Sequence, residues 1–197
     1  MQKTALAKTA HVAVDQKFSA ADRTIQSNVT GTLARGDQDL TSSGDGGESR
    51  RVAVGQSMYQ RRPNTPDSPW RISPRQAPAS DQAFGTLMLA DGTSLSDPKL
   101  YKNAVDAGTE QLPQGLARKV TADLDMPTVA ASLLLAAPDQ ARLAQMQGRV
   151  TLWISTTDGS LLRHSLVITI QGANGPEKIE TTIDLSDLDA PLVVTAP

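Results

Sequence analysis

Apolar and polar positions alternate most clearly in the last third of the chain. Residues 150–155, 161–171 and 178–185 each read as a strand, and Asp158-Gly159 and Asn174-Gly175 mark the short turns between them. On the middle strand Leu162, His164, Leu166, Ile168 and Ile170 share a face. On the last, Ile179, Thr181, Ile183 and Leu185 share one, while Glu180, Thr182 and Asp184 point away. One dry face and one wet face predict an antiparallel sheet covered on one side.

The same period of two recurs upstream. Residues 24–35 read as a strand with Ile25, Val29 and Leu33 beside the small Ser27 and Gly31, and with Gln26, Asn28, Thr30 and Thr32 opposite. Residues 41–48, rich in Gly, Ser and Asp, read as a flexible turn. Residues 50–54 and 57–61 form a hairpin around Gly55-Gln56, whose leading Gly suits a type II′ turn. After a loop stiffened by Pro63, Pro66 and Pro69, Trp70-Arg71-Ile72 resumes a short strand, and residues 116–124 form another.

Three stretches carry helical spacing instead. Over residues 3–16, Leu6, Ala10, Ala13 and Val14 fall on one face. Ser96-Asp97-Pro98 is a helix start, with Gly108 as the stop. Asp125 caps a third, with Pro127 in its first turn; it runs over residues 129–137, breaks at Pro138 and continues to Gln147. Its Leu133, Leu134 and Leu135 span too wide an arc for one buried stripe, which predicts a helix lying over the sheet. Residues 74–82 read as loop, and residues 83–90 fit helix and strand equally. The order of elements predicts an α+β fold, with residues 1–197 as a single domain: a curved antiparallel half-barrel sheet with helices covering its concave face.

Composition narrows the function more than the fold. The 197 residues are 39% hydrophobic and 20% charged, enough for one core. A net charge of -2 gives no electrostatic footprint for nucleic acid. Cysteine is absent, which removes disulfides, thiol catalysis and thiolate metal sites together. No apolar run approaches the roughly 20 residues of a membrane-spanning helix. Met1-Gln2-Lys3 leads into a polar segment with no signal-peptide pattern, so the chain reads as cytosolic or as lacking its native start. Aromatics are only 3%, so the core must be aliphatic.

Candidate chemistry is sparse. With only His11 and His164 and no Gly-x-Ser-x-Gly elbow, a nucleophile–base pair has few places to form, and Ser165 points away from His164. His164 reads as a core or rim histidine. Asp184, Asp187 and Asp189 match no calcium-loop spacing and read as a solvated strand end, so neither a metal nor a cofactor is expected. Arg35-Gly36-Asp37 follows a strand as a turn does, and Asn28-Val29-Thr30 is a glycosylation sequon without a setting that gives it meaning. A stripe of Ile, Leu and Val is ordinarily core, so periodicity alone favours a filled interior over a ligand cavity.

A resemblance shifts that balance. The run Val150-Thr151-Leu152-Trp153-Ile154-Ser155, Asp158-Gly159, Leu162-Arg163-His164-Ser165, Thr182-Ile183-Asp184-Leu185-Ser186-Asp187 and the ending Val193-Val194-Thr195-Ala196-Pro197 resemble the LppX/LprG-like lipoproteins of actinobacteria. That family is similar in fold to the LolA-type lipoprotein carriers. Gly55-Gln56-Ser57-Met58-Tyr59 followed by Trp70 fits the family's hairpin. The resemblance implies a curved sheet, helices across it and a hydrophobic cavity between them. It implies an extracytoplasmic protein of the cell envelope that holds acyl chains of lipids or lipoglycans and works with envelope transport machinery. It also implies membrane attachment through an N-terminal lipidated cysteine, which this sequence lacks, and it supplies no catalytic residues. The cavity lining expected on this basis is Ile25, Val29, Leu33, Val52, Val54, Leu133, Leu134, Leu166, Ile168, Ile170, Ile179 and Ile183, with Gly31 a small residue on the same face. The alternative is an envelope interaction or sensor module on the same fold, its cavity small or filled.

Overall fold

A computed structural model describes residues 7–20, 23–61, 67–75, 98–128, 146–172 and 175–197. Their strands form one antiparallel, open, curled sheet of eleven: β1 (Thr9–Ala20), β2 (Arg23–Ala34), β3 (Asp37–Gly44), β4 (Ser49–Val54), β5 (Ser57–Gln60), β6 (Arg71–Pro74), β7 (Tyr101–Leu112), β8 (Gly115–Leu124), β9 (Gln147–Ser155), β10 (Leu161–Gly172) and β11 (Gly175–Ser186). The spatial order is β6-β5-β4-β3-β2-β1-β11-β10-β9-β8-β7. Each pair except β1–β11 joins strands adjacent in sequence, so the sheet is two meanders stitched together where the first strand meets the last. The expected succession of the last three strands holds, with Ile168 opposite Ile179 and Leu166 opposite Val150. The hairpin at Gly55-Gln56 also holds. Gly55 has φ +56°, the sign a type II′ turn needs at its first central residue.

Two expected helices are strands. Residues 3–16 were read by their helical spacing, yet Thr9–Ala20 is β1, the central strand, paired along its length to β2 and to β11. Ala10, Val14 and Phe18, four apart, fit a period of two as well as a helical one, and backbone pairing on both sides decides between them. The helix expected from Ser96 to Gly108 is a 3-10 turn, Pro98–Leu100, followed by edge strand β7. Two bulges, between Lys102 and Val105 and between Asp106 and Thr109, break its alternation. Gly108, with φ +87°, belongs to the second bulge and not to a helix C-cap. The bulges and the charges of Lys102, Asp106 and Glu110 also discourage another strand from pairing with this edge. The turn expected over residues 41–48 is shorter, because β3 continues to Gly44.

The helical turn at residues 126–128 begins as expected, with the Thr128 hydroxyl donating to the Asp125 carboxylate at 2.8 Å. The helix read over residues 129–147 and the ambiguous residues 83–90 lie outside the described residues, except that Gln147 opens β9. Helices covering the sheet are therefore not part of the described architecture.

Candidate functional site

Residues directly opposed in an antiparallel ladder share a face of the sheet, so the register reads out what each face carries. On the inner face, which holds the main core, the side chains fall into rows running across the strands. The outermost row is Ile25–Phe18–Ile179–Ile168, ending against Gly148. All four side chains are half-buried. The next is Ser27–Gln16–Thr181–Leu166–Val150–Ala122. The third is Val29–Val14–Ile183–His164–Leu152–Val120. Beyond it Gly31, Val12 and Leu185 align, then Leu33 and Ala10. The main cluster draws Ala10, Val12, Ile183, Leu185, Leu161, Leu152, Val150 and Ala122 together from five strands. A second cluster, Leu100, Leu124, Met126 and Leu166, packs beside it with Ile168 on its edge.

Seven expected lining residues, Ile25, Val29, Leu33, Leu166, Ile168, Ile179 and Ile183, therefore do share this face. Ile170 joins them one step further out, opposite Glu177. Val52 and Val54 do not. Leu33 and Leu40 face inward, but Val52 opposes Asp39, whose partner on β2 is the outward Thr32. Val52 and Val54 consequently sit on the outer face, where they pack with Ala34, Tyr59, Trp70 and Val194. Alternation shows that β4 has one dry side without showing which side of the sheet it is. Leu133 and Leu134 lie outside the described residues.

The reading of residues 3–16 as helix concealed Val12, Val14 and Phe18, which belong to the inner face; their period of two was the available signal. Leu162, expected inward with His164, faces outward. A bulge between Leu161 and Arg163 shifts the register, and Leu162 packs with Leu112, Ala117 and Trp153. Gly31 offers no room for a side chain. A Cβ there runs into the backbone carbonyl of Asp39 and lies 2.9 Å from Leu40 Cα, so a substitution would deform β2 and β3 and report nothing about a cavity.

The outer face over β7–β11 sets charged pairs around the buried cluster of Leu112, Ala117, Trp153 and Leu162. The Trp153 indole N–H donates to Glu110 at 2.9 Å, and Lys119 reaches the same carboxylate at 3.2 Å. These bonds, the indole's first, hold the Glu110 carboxyl below its ordinary pKa. Arg163 forks onto Asp184 through bonds of 2.7 and 3.0 Å, which raises the guanidinium pKa. The remaining expected acids are spent on structure: Asp189 accepts the Lys8 backbone N–H at 2.9 Å, and Asp187 lies 3.9 Å from His11.

His164 is the exception on the dry face. It is 1% exposed, between Leu152 and Ile183 across the ladder and Leu166 along the strand, and neither Nδ1 nor Nε2 has a hydrogen-bond partner among the described residues. Burial among aliphatic groups pushes its pKa down to about 4, so the ring is neutral at neutral pH. A buried donor or acceptor left without a partner costs on the order of 1–3 kcal/mol. The expectation of a core histidine holds as to place, though it gave no hint of this isolation.

Among the clefts that the described residues form, one of about 660 Å³ opens at the sheet end among Gln114, Asp158, Ser160 and Leu188, and another of about 290 Å³ lies around His11, Thr30 and Gln114. A third, of about 360 Å³, lies among Leu124, Met126, Met146 and Gly148, beside the end of the Ile25–Phe18–Ile179–Ile168 row.

No family model and no curated protein matches the sequence. Among solved structures, the chain is similar to the Mycobacterium tuberculosis lipoprotein LppX, with a TM-score of 0.57 at 13% identity, over 98% of this chain and 93% of LppX. It is similar to LprF from Mycobacterium bovis, with a TM-score of 0.54 at 16% identity, over 100% of this chain and 92% of LprF. The fold is that of these two proteins nearly end to end, and the resemblance to LppX/LprG-like lipoproteins read from the sequence is supported at that level.

Proposed function

We propose that this chain is the ectodomain of a cell-envelope lipoprotein that binds or carries hydrophobic ligands, acyl lipids or lipoglycans, against the inner face of its sheet. The observation that carries the reading is the row Ile25–Phe18–Ile179–Ile168: four large apolar side chains, aligned across four strands and only half-buried, on the face that also holds the main core. Acyl chains bind by the area they remove from water, at about 25 cal/mol per Å², so such a site needs apolar width and few polar groups. The fold shared with LppX and LprF, and the function that resemblance implies, support the same reading. On this reading the domain works outside the cytoplasm, catalyses no reaction, and is held at the membrane by an N-terminal lipid anchor while envelope transport machinery loads or unloads it.

Native mass spectrometry of the purified protein, followed by organic extraction, tests the reading. A retained mass that fragments as an acyl lipid supports it. A protein that remains ligand-free after expression in an envelope-bearing host, and takes up no lipid from vesicles, favours instead an interaction or sensor module on the same fold.

A further inference from the structure

His164 is a buried polar group two rows inward of the half-buried Ile168 and Ile179 on the same face of the sheet. Its row contributes only aliphatic neighbours, Leu152 and Ile183 directly and Val14 and Val29 beyond. The backbone groups around it are engaged in the ladders with β9 and β11, so they offer its ring nothing. A core position among aliphatic side chains is served as well by Leu, which carries no polar atoms to satisfy, whereas His leaves both ring nitrogens without a partner at 1% exposure. One row further out, toward the half-buried Ile168 and Ile179, the face carries Thr181, Gln16 and Ser27. Ile168 and His164 are four residues apart, about 13 Å along an extended strand, within reach of a medium-length acyl chain.

Resting on the reading of this face as a lipid site, we propose that His164 is its polar anchor, a specificity-determining residue whose imidazole hydrogen-bonds to an ester or hydroxyl oxygen of the ligand. The chemical class selected is then an oxygenated acyl lipid, not a plain hydrocarbon. The neutral ring offers one N–H and one acceptor nitrogen: an ester carbonyl takes the first, and a hydroxyl can use either. Thr181, in the neighbouring row, supplies a second polar contact for a ligand with more than one oxygen.

The test compares two probes of one chain length, 1-monooleoylglycerol and cis-9-octadecene, each displacing a dansyl-labelled fatty acid from the delipidated full chain. The wild-type protein should prefer the monoacylglycerol by about tenfold beyond the preference of His164→Leu. His164→Gln, which keeps a donor and an acceptor, should restore part of that difference. Imidazole ¹⁵N NMR of the wild type needs no variant to fold. Monooleoylglycerol should shift the His164 ring resonances, octadecene should leave them, and His11 serves as the internal control. Equal discrimination by wild type and His164→Leu, or an unmoved His164 ring while the monoacylglycerol binds, overturns the anchor and leaves the lipid site standing. A reporter that never binds saturably overturns the lipid site and the anchor with it.

Discussion

The two ends of this sheet place their larger clusters on opposite faces. From β7 through β8, β9, β10 and β11 to β1 and β2, the inner face carries the main cluster, while the outer face bears Glu110, Lys119, Arg163 and Asp184 around a small buried cluster of Leu112, Ala117, Trp153 and Leu162. From β4 to β6 the dry side is the outer one. Val52, Val54, Tyr59 and Trp70 pack there under Val194 of the C-terminal tail, and the inner side carries Arg51 and Gln60 beside the buried Ala53 and the half-buried Met58. The tail is held in place by Asp189, whose backbone N–H donates to the Thr9 carbonyl at 3.0 Å, and by the Thr9 hydroxyl, which donates to the Ala190 carbonyl at 2.6 Å. A strand's alternation says that it has a dry side; only register, carried strand to strand, says which surface that side joins. The aligned apolar rows of the inner face thus end near β3, and on the proposed reading a ligand would meet only that part of the sheet.

The two tryptophans make the difference measurable, since Trp70 lies in the outer cluster of one end and Trp153 on β9 in the other. The largest effect expected is from Leu185→Ala in the main core, where the fully buried side chain should cost about 2–5 kcal/mol, read as a lower urea midpoint by Trp153 fluorescence. Val52→Ala, equally buried but in the small outer cluster, should cost less, about 1–2 kcal/mol. If Val52→Ala matches Leu185→Ala and moves both tryptophans together, the two ends are one cooperative core and the contrast collapses.

Acid comes next. The His164 pKa is about 4 when folded and ordinarily near 6.5 when unfolded, so below pH 6.5 the unfolded chain takes up a proton that the native one does not. Stability should be full above that range, fall by about 3 kcal/mol as pH drops from 6.5 to 4, and lose nothing more to this group below. His164→Leu should remove this slope; urea midpoints against pH check it, and a slope that survives the substitution places its source elsewhere. Removing residues 193–197 strips Val194 from the outer cluster and should cost about 1–2 kcal/mol, with Trp70 fluorescence responding before Trp153. The smallest effect is expected from Arg50→Ala. It breaks an exposed fork of 2.9 and 2.6 Å onto Asp39 and a cation–π contact of 5.9 Å with Trp70, together worth at most about 1 kcal/mol in thermal unfolding.

Much of the sheet was legible in the sequence. Strands β2, β4, β5 and β8–β11 have alternation or a turn dipeptide to mark them, and the pairings of β4 with β5 and of β9, β10 and β11 followed from their turns. What escaped had physical causes. In β1 Ala10, Val14 and Phe18, four apart, satisfy both periods, and only tertiary pairing selects the strand. In β7 two bulges erase the alternation that would have announced it. In β3 the run Thr41-Ser42-Ser43-Gly44 is polar enough to read as loop, yet it is held by its ladder with β2. Of the site, the half built from β2, β10 and β11 was readable because those strands alternate. Val52 and Val54 were misplaced because face identity is a property of the sheet, and His164 was readable as a core or rim histidine while its isolation from partners among the described residues is visible only in three dimensions.

The most direct measurement of the central claim is photo-crosslinking with a diazirine-bearing oleate, followed by mapping of the labelled peptides. The account predicts saturable labelling on the inner-face strands β1, β2, β10 and β11, centred on Phe18, Ile25, Ile168 and Ile179, and none at Val52, Val54 or Trp70. Labelling concentrated on the outer cluster, or labelling nowhere that unlabelled oleate can compete away, would contradict it.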